Sequence, residues 1–110
     1  MDELLKQIGK RIYDRRKQLR LTQDELAEQA NITSQTISAA ELGKKALRPE
    51  NIIGVSRALN ISTDYLLQGI ITTEDKLLLL KDVSDLSPAQ FRHLEDIIIS
   101  YIAALREKEV

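Results

Sequence analysis

The sequence predicts an all-α protein, a five-helix domain followed by a C-terminal two-helix extension. Three observations carry that expectation. Leu, Ile, Ala, Glu and Lys are abundant while there are four Gly, two Pro and four aromatics in 110 residues, a composition that favours helices over a sandwich or barrel. Apolar residues recur at spacings of three and four, the period of one helix face. Helix starts are also written repeatedly, as Ser or Thr caps or as Pro at a first helical position.

Each element follows from these signals in order. Leu4, Leu5, Ile8, Ile12 and Leu19 share a stripe, so a first amphipathic helix is expected over about residues 3–19, ending near Arg20. Thr22 is an N-cap, Glu25 completes a capping box, and Leu21 with Leu26 occupies the staple positions, opening a second helix over residues 23–30. Thr33, flanked by Ile32 and Ile37, caps a third over about 34–42, which Gly43 stops. Pro49 opens a fourth through Leu59, with Ile52, Ile53, Val55 and Leu59 turned inward. Ser62 caps a short fifth helix that Gly69 ends, and the globular domain is read as residues 1–69.

Residues 70–110 form the extension. Residues 70–73 read as a connector, a helix follows over about 74–83, and Ser84 and Asp85 mark a turn. The last helix has the most explicit start in the chain: Ser87 as cap, Pro88 at the first position, Gln90 closing the capping box, and Leu86 with Phe91 as staple.

Composition also narrows the function. Without cysteine there is neither a disulfide framework nor a thiolate metal site, and the single His93 cannot build a metal cluster alone. The charged N-terminus lacks a signal-peptide pattern and apolar runs such as residues 77–80 are far too short for a bilayer, so a cytoplasmic protein that does not engage membrane is expected. No Ser-His-Asp or Cys-His set and no phosphate-cradling Gly loop occurs, so no enzymatic activity and no cofactor are expected. Charge is polarised: residues 1–69 hold 11 Lys and Arg against 9 Asp and Glu, whereas residues 70–110 hold 5 against 8. Basic residues cluster at Lys10, Arg11, Arg15, Arg16, Lys17 and Arg20, and again at Lys44, Lys45 and Arg48. Such clusters matter more for phosphate binding than the net charge of −1, and a solvated helix face is the alternative that charge alone leaves open.

The second and third helices, separated by about three residues, have the layout of a helix-turn-helix. Ala27 is small where the helices must approach, Leu26, Ile32 and Ile37 can bury between them, and Asn31 tolerates the left-handed conformation of the turn. Between Ile8 and Gly69 the chain carries Leu21-Thr22-Gln23, Glu25-Leu26-Ala27, Thr36-Ile37-Ser38, Glu41, Gly43, Arg48-Pro49, Ala58-Leu59 and Asp64-Tyr65-Leu66-Leu67. On these residues it resembles the Cro and lambda-repressor family. Arg20 and Asn31 stand where the family often has Gly.

The resemblance implies a five-helix domain that binds double-stranded operator DNA, usually as a dimer. Transferred by position, it implies base contacts from Ser34, Gln35 and Ala39 on the third helix, with Ser38 adding a polar contact. Among these Gln35 is the strong reader, because its amide can pair bidentately with adenine. Phosphate anchors are expected at Thr22 and Gln23, at Thr33, and at Lys44, Lys45 and Arg48. The same resemblance implies an ion pair between Arg16 and Glu41.

In the last helix Phe91, Leu94, Ile98, Tyr101 and Leu105 follow a heptad-like seam, widened by Ile97, Ile99 and Ile102. That is more apolar surface than one stripe packing on its own domain needs, so a homodimer interface is expected, formed by Phe91, Leu94, Ile97, Ile98, Tyr101, Ile102 and Leu105. The competing expectation is a protein-interaction module, an antitoxin or a regulator whose C-terminal helices bind a toxin or antagonist protein.

Overall fold

The computed structural model describes residues 2–108; residues 1, 109 and 110, at the outer ends of the two segments read from sequence, lie outside the described residues. Seven helices follow in order: α1 (Asp2–Gln18), α2 (Gln23–Ala30), α3 (Ser34–Glu41), α4 (Pro49–Leu59), α5 (Thr63–Gln68), α6 (Thr73–Ser84) and α7 (Pro88–Lys108). Among the described residues there is no strand. Two compact units divide the chain between Leu78 and Leu79, inside α6.

In the first unit the core is Ile12, Leu26, Ile37, Val55, Leu59 and Leu66, all fully buried, one or two from each of α1 to α5. Ala27, Ala30 and Ala40 fill the spaces between helices, where a longer side chain would hold the backbones apart. Ile8, Ile32, Leu47, Ile52, Ala58 and Ile61 seal its edge. Ile53, expected to face inward, is instead exposed. It lies two residues before Val55, and two residues turn about 200° around a helix, so both cannot face the same core.

The caps form where their side chains can reach the backbone. Thr22 Oγ1 accepts from Glu25 N at 3.0 Å while Thr22 N donates to Glu25 Oε1 at 3.0 Å, closing the capping box of α2. The box at α7 closes in the same way, with Ser87 N donating to Gln90 Oε1 at 2.9 Å and Gln90 N to Ser87 Oγ at 3.2 Å. Asn31 takes φ 59° and ends α2 in the left-handed region, as Asn60 does for α4 at φ 58°. Arg20 adopts φ 60° between α1 and α2, a conformation that costs an L-residue other than Asn or Gly about 1 kcal/mol.

Much of the basic cluster on α1 serves the fold. Arg15 Nε donates to Leu59 O at 2.9 Å and Arg11 Nη1 to Leu66 O at 3.2 Å, so two cations cover the carbonyl ends of α4 and α5. Arg16 is buried, and Lys10 pairs with Asp14 on its own helix. Charge alone leaves this cluster open between phosphate binding and a solvated helix face; these four residues are engaged within the protein.

The first unit continues into α6 because of Asp75. Its carboxylate accepts from Ser62 N at 2.8 Å, Ser62 Oγ at 2.7 Å, Thr72 N at 2.9 Å and Thr72 Oγ1 at 3.0 Å. Ser62 is 4% exposed and its hydroxyl also caps α5 by accepting from Tyr65 N. The stretch read as a connector therefore contains Thr72, the cap of α6 whose box Asp75 closes, and it is tied to the start of α5.

Burial pushes the Asp75 carboxyl up, but the four hydrogen bonds from Thr72 and Ser62 outweigh it and hold the group at about 2, below its ordinary 3.8. A depressed folded value means stability that is fully present above the ordinary carboxylate range and lost as pH falls through about 2. Asp75→Asn is expected to destabilise the protein by about 1–3 kcal/mol near neutral pH. In paired thermal melts the gap between wild type and variant should shrink as pH falls from about 4 towards about 2. A gap that stays constant over that range would show that the charge on Asp75 does not matter.

In the second unit α7 carries its apolar residues on the outside. Phe91, Ile97, Ile98, Tyr101, Ile102 and Leu105 are all exposed, Tyr101 at 65%, and Leu94 is half-buried. Leu80, Val83, Leu86, Pro88 and Phe91 line an open, largely apolar cleft between the end of α6 and the start of α7. None of the described helices is long and apolar enough to cross a membrane.

Candidate nucleic-acid interface

The first unit presents α3 at its surface, held from behind by α1 and α2. Ile37 and Ala40 anchor it in the core, which leaves Gln35 exposed and Ser34, Ser38 and Ala39 half-buried at its edge. Thr33 caps the helix, with Oγ1 accepting from Thr36 N at 3.2 Å and lying 2.8 Å from Thr36 Oγ1. Gln35 has no side-chain partner within the protein among the described residues, so both its amide donor and its carbonyl are available. The Ser34 hydroxyl, in contrast, donates to the carboxylate of Asp24 on α2.

An open cleft beside α3 is lined by Gln35, Thr36, Ala39, Lys45, Leu47, Arg48, Glu50 and Asn51. It brings two of the residues expected to contact bases together with two expected to contact phosphates. Lys45 and Arg48 are exposed, and they come from the segment that joins α3 to α4. Asn51, half-buried in the same cleft, was not singled out from sequence; only its place two residues after Pro49 at the start of α4 could have marked it.

A second open cleft lies where α1 meets α2, lined by Arg16, Lys17, Arg20, Leu21, Thr22, Gln23 and Asp24. Thr22 and Gln23, expected as phosphate anchors, are here joined by the exposed cations Lys17 and Arg20, members of the basic cluster not engaged with carbonyls or buried acids. The N–H groups of Gln23 and Asp24 have no partner among the described residues, as expected in the first turn of a helix. Ser34, Ser38, Thr33 and Lys44 line neither cleft.

Arg16, at the edge of the second cleft, forms a buried ion pair with Glu41 at the end of α3. Arg16 Nε donates to Glu41 Oε2 at 2.7 Å and Nη2 to Glu41 Oε1 at 3.0 Å, with the side chains 9% and 4% exposed. Arg16 Nη1 also donates to Leu21 O at 2.9 Å, and Gln23 Nε2 donates to Glu41 Oε1 at 3.0 Å. One carboxylate at the end of α3 therefore fixes α1, the turn before α2 and the first residue of α2. The hydrogen bond to Glu41 pushes the Arg16 guanidinium pKa up despite the opposing effect of burial. Gln23, expected at a phosphate, spends its side-chain amide on this network.

Two short helices with a three-residue turn, a free amide on the exposed edge of the second and flanking cations define a nucleic-acid-binding class of domain. The helix-turn-helix family pattern matches residues 12–66, half of the chain, and the protein belongs to that family, in its Cro and lambda-repressor branch. Among individual proteins, the chain is similar to the uncharacterized HTH-type transcriptional regulator YqaE of Bacillus subtilis, at 41% identity over 54 residues, 49% of this chain and 47% of that protein. It is also similar to repressor protein C2 of Salmonella phage P22, at 37% identity over 62 residues, 56% of this chain and 29% of that protein. The chain thus spans less than half the length of these two relatives.

Solved structures extend the comparison. The P22 c2 repressor in complex with synthetic operator 9T shares 36% identity and a TM-score of 0.56, over 57% of this chain and 96% of that one. A chain of the SinR protein/SinI protein complex shares 27% identity and a TM-score of 0.55, over 87% of this chain and 98% of that one.

Proposed function

We propose that the protein is a sequence-specific, DNA-binding transcriptional regulator of the cytoplasm, a repressor that binds a palindromic operator as a homodimer. The observation that carries this reading is the exposed, unpartnered amide of Gln35 in a cleft with Lys45 and Arg48. An amide reads adenine at N6 and N7 in the major groove, while flanking cations hold phosphates and carry no sequence information. Gln35, Ser38, Ala39 and Ser34 face the bases. Thr22, Gln23, Thr33, Lys44, Lys45 and Arg48 set the register on the backbone, joined by Lys17 and Arg20. The C-terminal segment, residues 70–110, dimerises through the exposed seam of α7 and spaces two copies of α3 on the two half-sites.

Selection of the purified protein on randomised duplexes tests this. The expected result is an inverted repeat with half-site centres about 10 base pairs apart. Gln35→Ala should relax one position per half-site and weaken binding by about 1–3 kcal/mol there. No enrichment of any sequence would refute the reading. Enrichment of a single half-site, together with a monomer in sedimentation at tens of micromolar, would refute the dimer.

A second reading has its own observation. The similarity to a chain of the SinR/SinI complex spans 87% of the protein, more than the helix-turn-helix match, and α7 bears exposed Ile97, Ile98, Ile102 and Tyr101. On this reading the C-terminal helices bind an antagonist or toxin protein, with DNA binding retained. A partner encoded beside the gene that co-purifies in a fixed ratio and displaces the self-association of α7 would favour it.

A further inference from the structure

We infer that Asp24 sets the base preference of Ser34, turning a hydroxyl that could read any base edge into one that accepts only. This inference rests on the DNA-binding reading above. A serine hydroxyl has one hydrogen to donate and two lone pairs to accept with, so in a major groove it pairs with donors or acceptors alike. Here the hydrogen is committed. Ser34 Oγ donates to Asp24, and a carboxylate has no hydrogen to return.

What remains on Ser34 towards a base is acceptor capacity. In the major groove the donors are the amino groups of adenine at N6 and cytosine at N4, while guanine offers N7 and O6 and thymine offers O4, all acceptors. Ser34 opens α3, and the N-terminal residues of such a helix are those that approach base edges. The pair is therefore selective for an amino base. Its oxygen lone pairs and the adjoining carboxylate repel guanine O6, thymine O4 and phosphate oxygens alike.

The Thr22 and Glu25 capping box does not use the Asp24 carboxylate. Asp24 is exposed at the start of α2, where its charge also suits the helix dipole. The role assigned to it is that of a positioning residue acting through Ser34.

The experiment uses the full-length protein and the operator found by selection. Ser34→Ala first locates the base pair whose preference depends on Ser34. Duplexes with each of the four bases at that position are then titrated by fluorescence anisotropy at one salt concentration. Wild type should prefer adenine or cytosine by at least about fivefold over guanine or thymine.

Asp24→Ala, which removes the acceptor and releases the hydroxyl to donate, should reduce that preference to about twofold or less, with a melting temperature close to wild type, whereas Asp24→Asn, whose amide oxygen still accepts from Ser34, should keep most of it. Unchanged selectivity in Asp24→Ala would overturn the assignment, as would a gain in affinity in that variant equal for all four bases, which is the signature of lost charge repulsion alone. A Ser34→Ala profile identical to wild type at every position would overturn it as well. Failure of the DNA-binding reading looks different, because wild type would then enrich no sequence.

Discussion

Glu41→Ala should destabilise the first unit by about 3–5 kcal/mol, because it leaves the Arg16 guanidinium buried without its counter-charge. The side chains are 9% and 4% exposed, and the carboxylate accepts from both Arg16 and Gln23. Water cannot take over that role without opening the seam between α1 and α3. For a domain of this size the expected fall in Tm exceeds about 10 °C.

The double variant Arg16→Met, Glu41→Leu is the informative partner. It removes both charges and fills the volume, and replacing a buried pair by apolar residues is often neutral or stabilising. Its stability should lie much nearer to wild type than that of Glu41→Ala. Leu21 O would lose the Arg16 donor in the double variant, a residual cost of about 1 kcal/mol. Urea unfolding of the three proteins checks the ordering, and a Glu41→Ala protein within about 1 kcal/mol of wild type would mean that the pair contributes little. Because Glu41 also fixes Gln23, operator affinity should fall in the single variant even where it remains folded.

Whether a feature was legible in the sequence depended on how far apart its parts lie along the chain. The capping boxes at Thr22 and Glu25 and at Ser87 and Gln90 join residues three apart, so a local pattern suffices, and the starts of α2, α3, α4 and α7 fall at the residues expected. Thr72 and Asp75 have the same spacing, but a helix start placed at Glu74 leaves Thr72 in the connector and Asp75 in the helix, so the box goes unread. Its second half, the link to Ser62 thirteen residues away, has no local signature.

The basic cluster of α1 illustrates the same limit more strongly. Arg11 and Arg15 cover carbonyls 55 and 44 residues distant, and charge spacing alone cannot separate a helix-capping arginine from a phosphate anchor. At the candidate interface, family resemblance located α3 and its exposed edge. The engagement of Ser34 by Asp24 and of Gln23 by Glu41 depends on how α2 and α3 cross, which appears only in three dimensions.

Gly9 is the other position at which one atom should have a large effect. It is buried on the face of α1 shared with Ile12 and Arg16, against the last turn of α3. A methyl group there would lie 2.5 Å from Glu41 O and closer still to Ala40 O. Both neighbours are backbone carbonyls, which cannot turn aside as a side chain would.

Alanine would gain up to about 1 kcal/mol in helix propensity, yet overpacking a tight contact between backbones costs about 3 kcal/mol or more. The net expectation for Gly9→Ala is a loss of about 2 kcal/mol or more. Gly54 provides an internal control. Its added methyl would lie 3.1 Å from Ala30 O, a gap that a shift of a few tenths of an ångström relieves, so propensity and crowding should nearly cancel in Gly54→Ala. Thermal melts of the two variants should therefore separate clearly, with only Gly9→Ala well below wild type. Equal Tm values for the two would show that α1 can move off α3 at little cost, and the rigid support that the Arg16–Glu41 pair and Gly9 together give to α3 would then have to be abandoned.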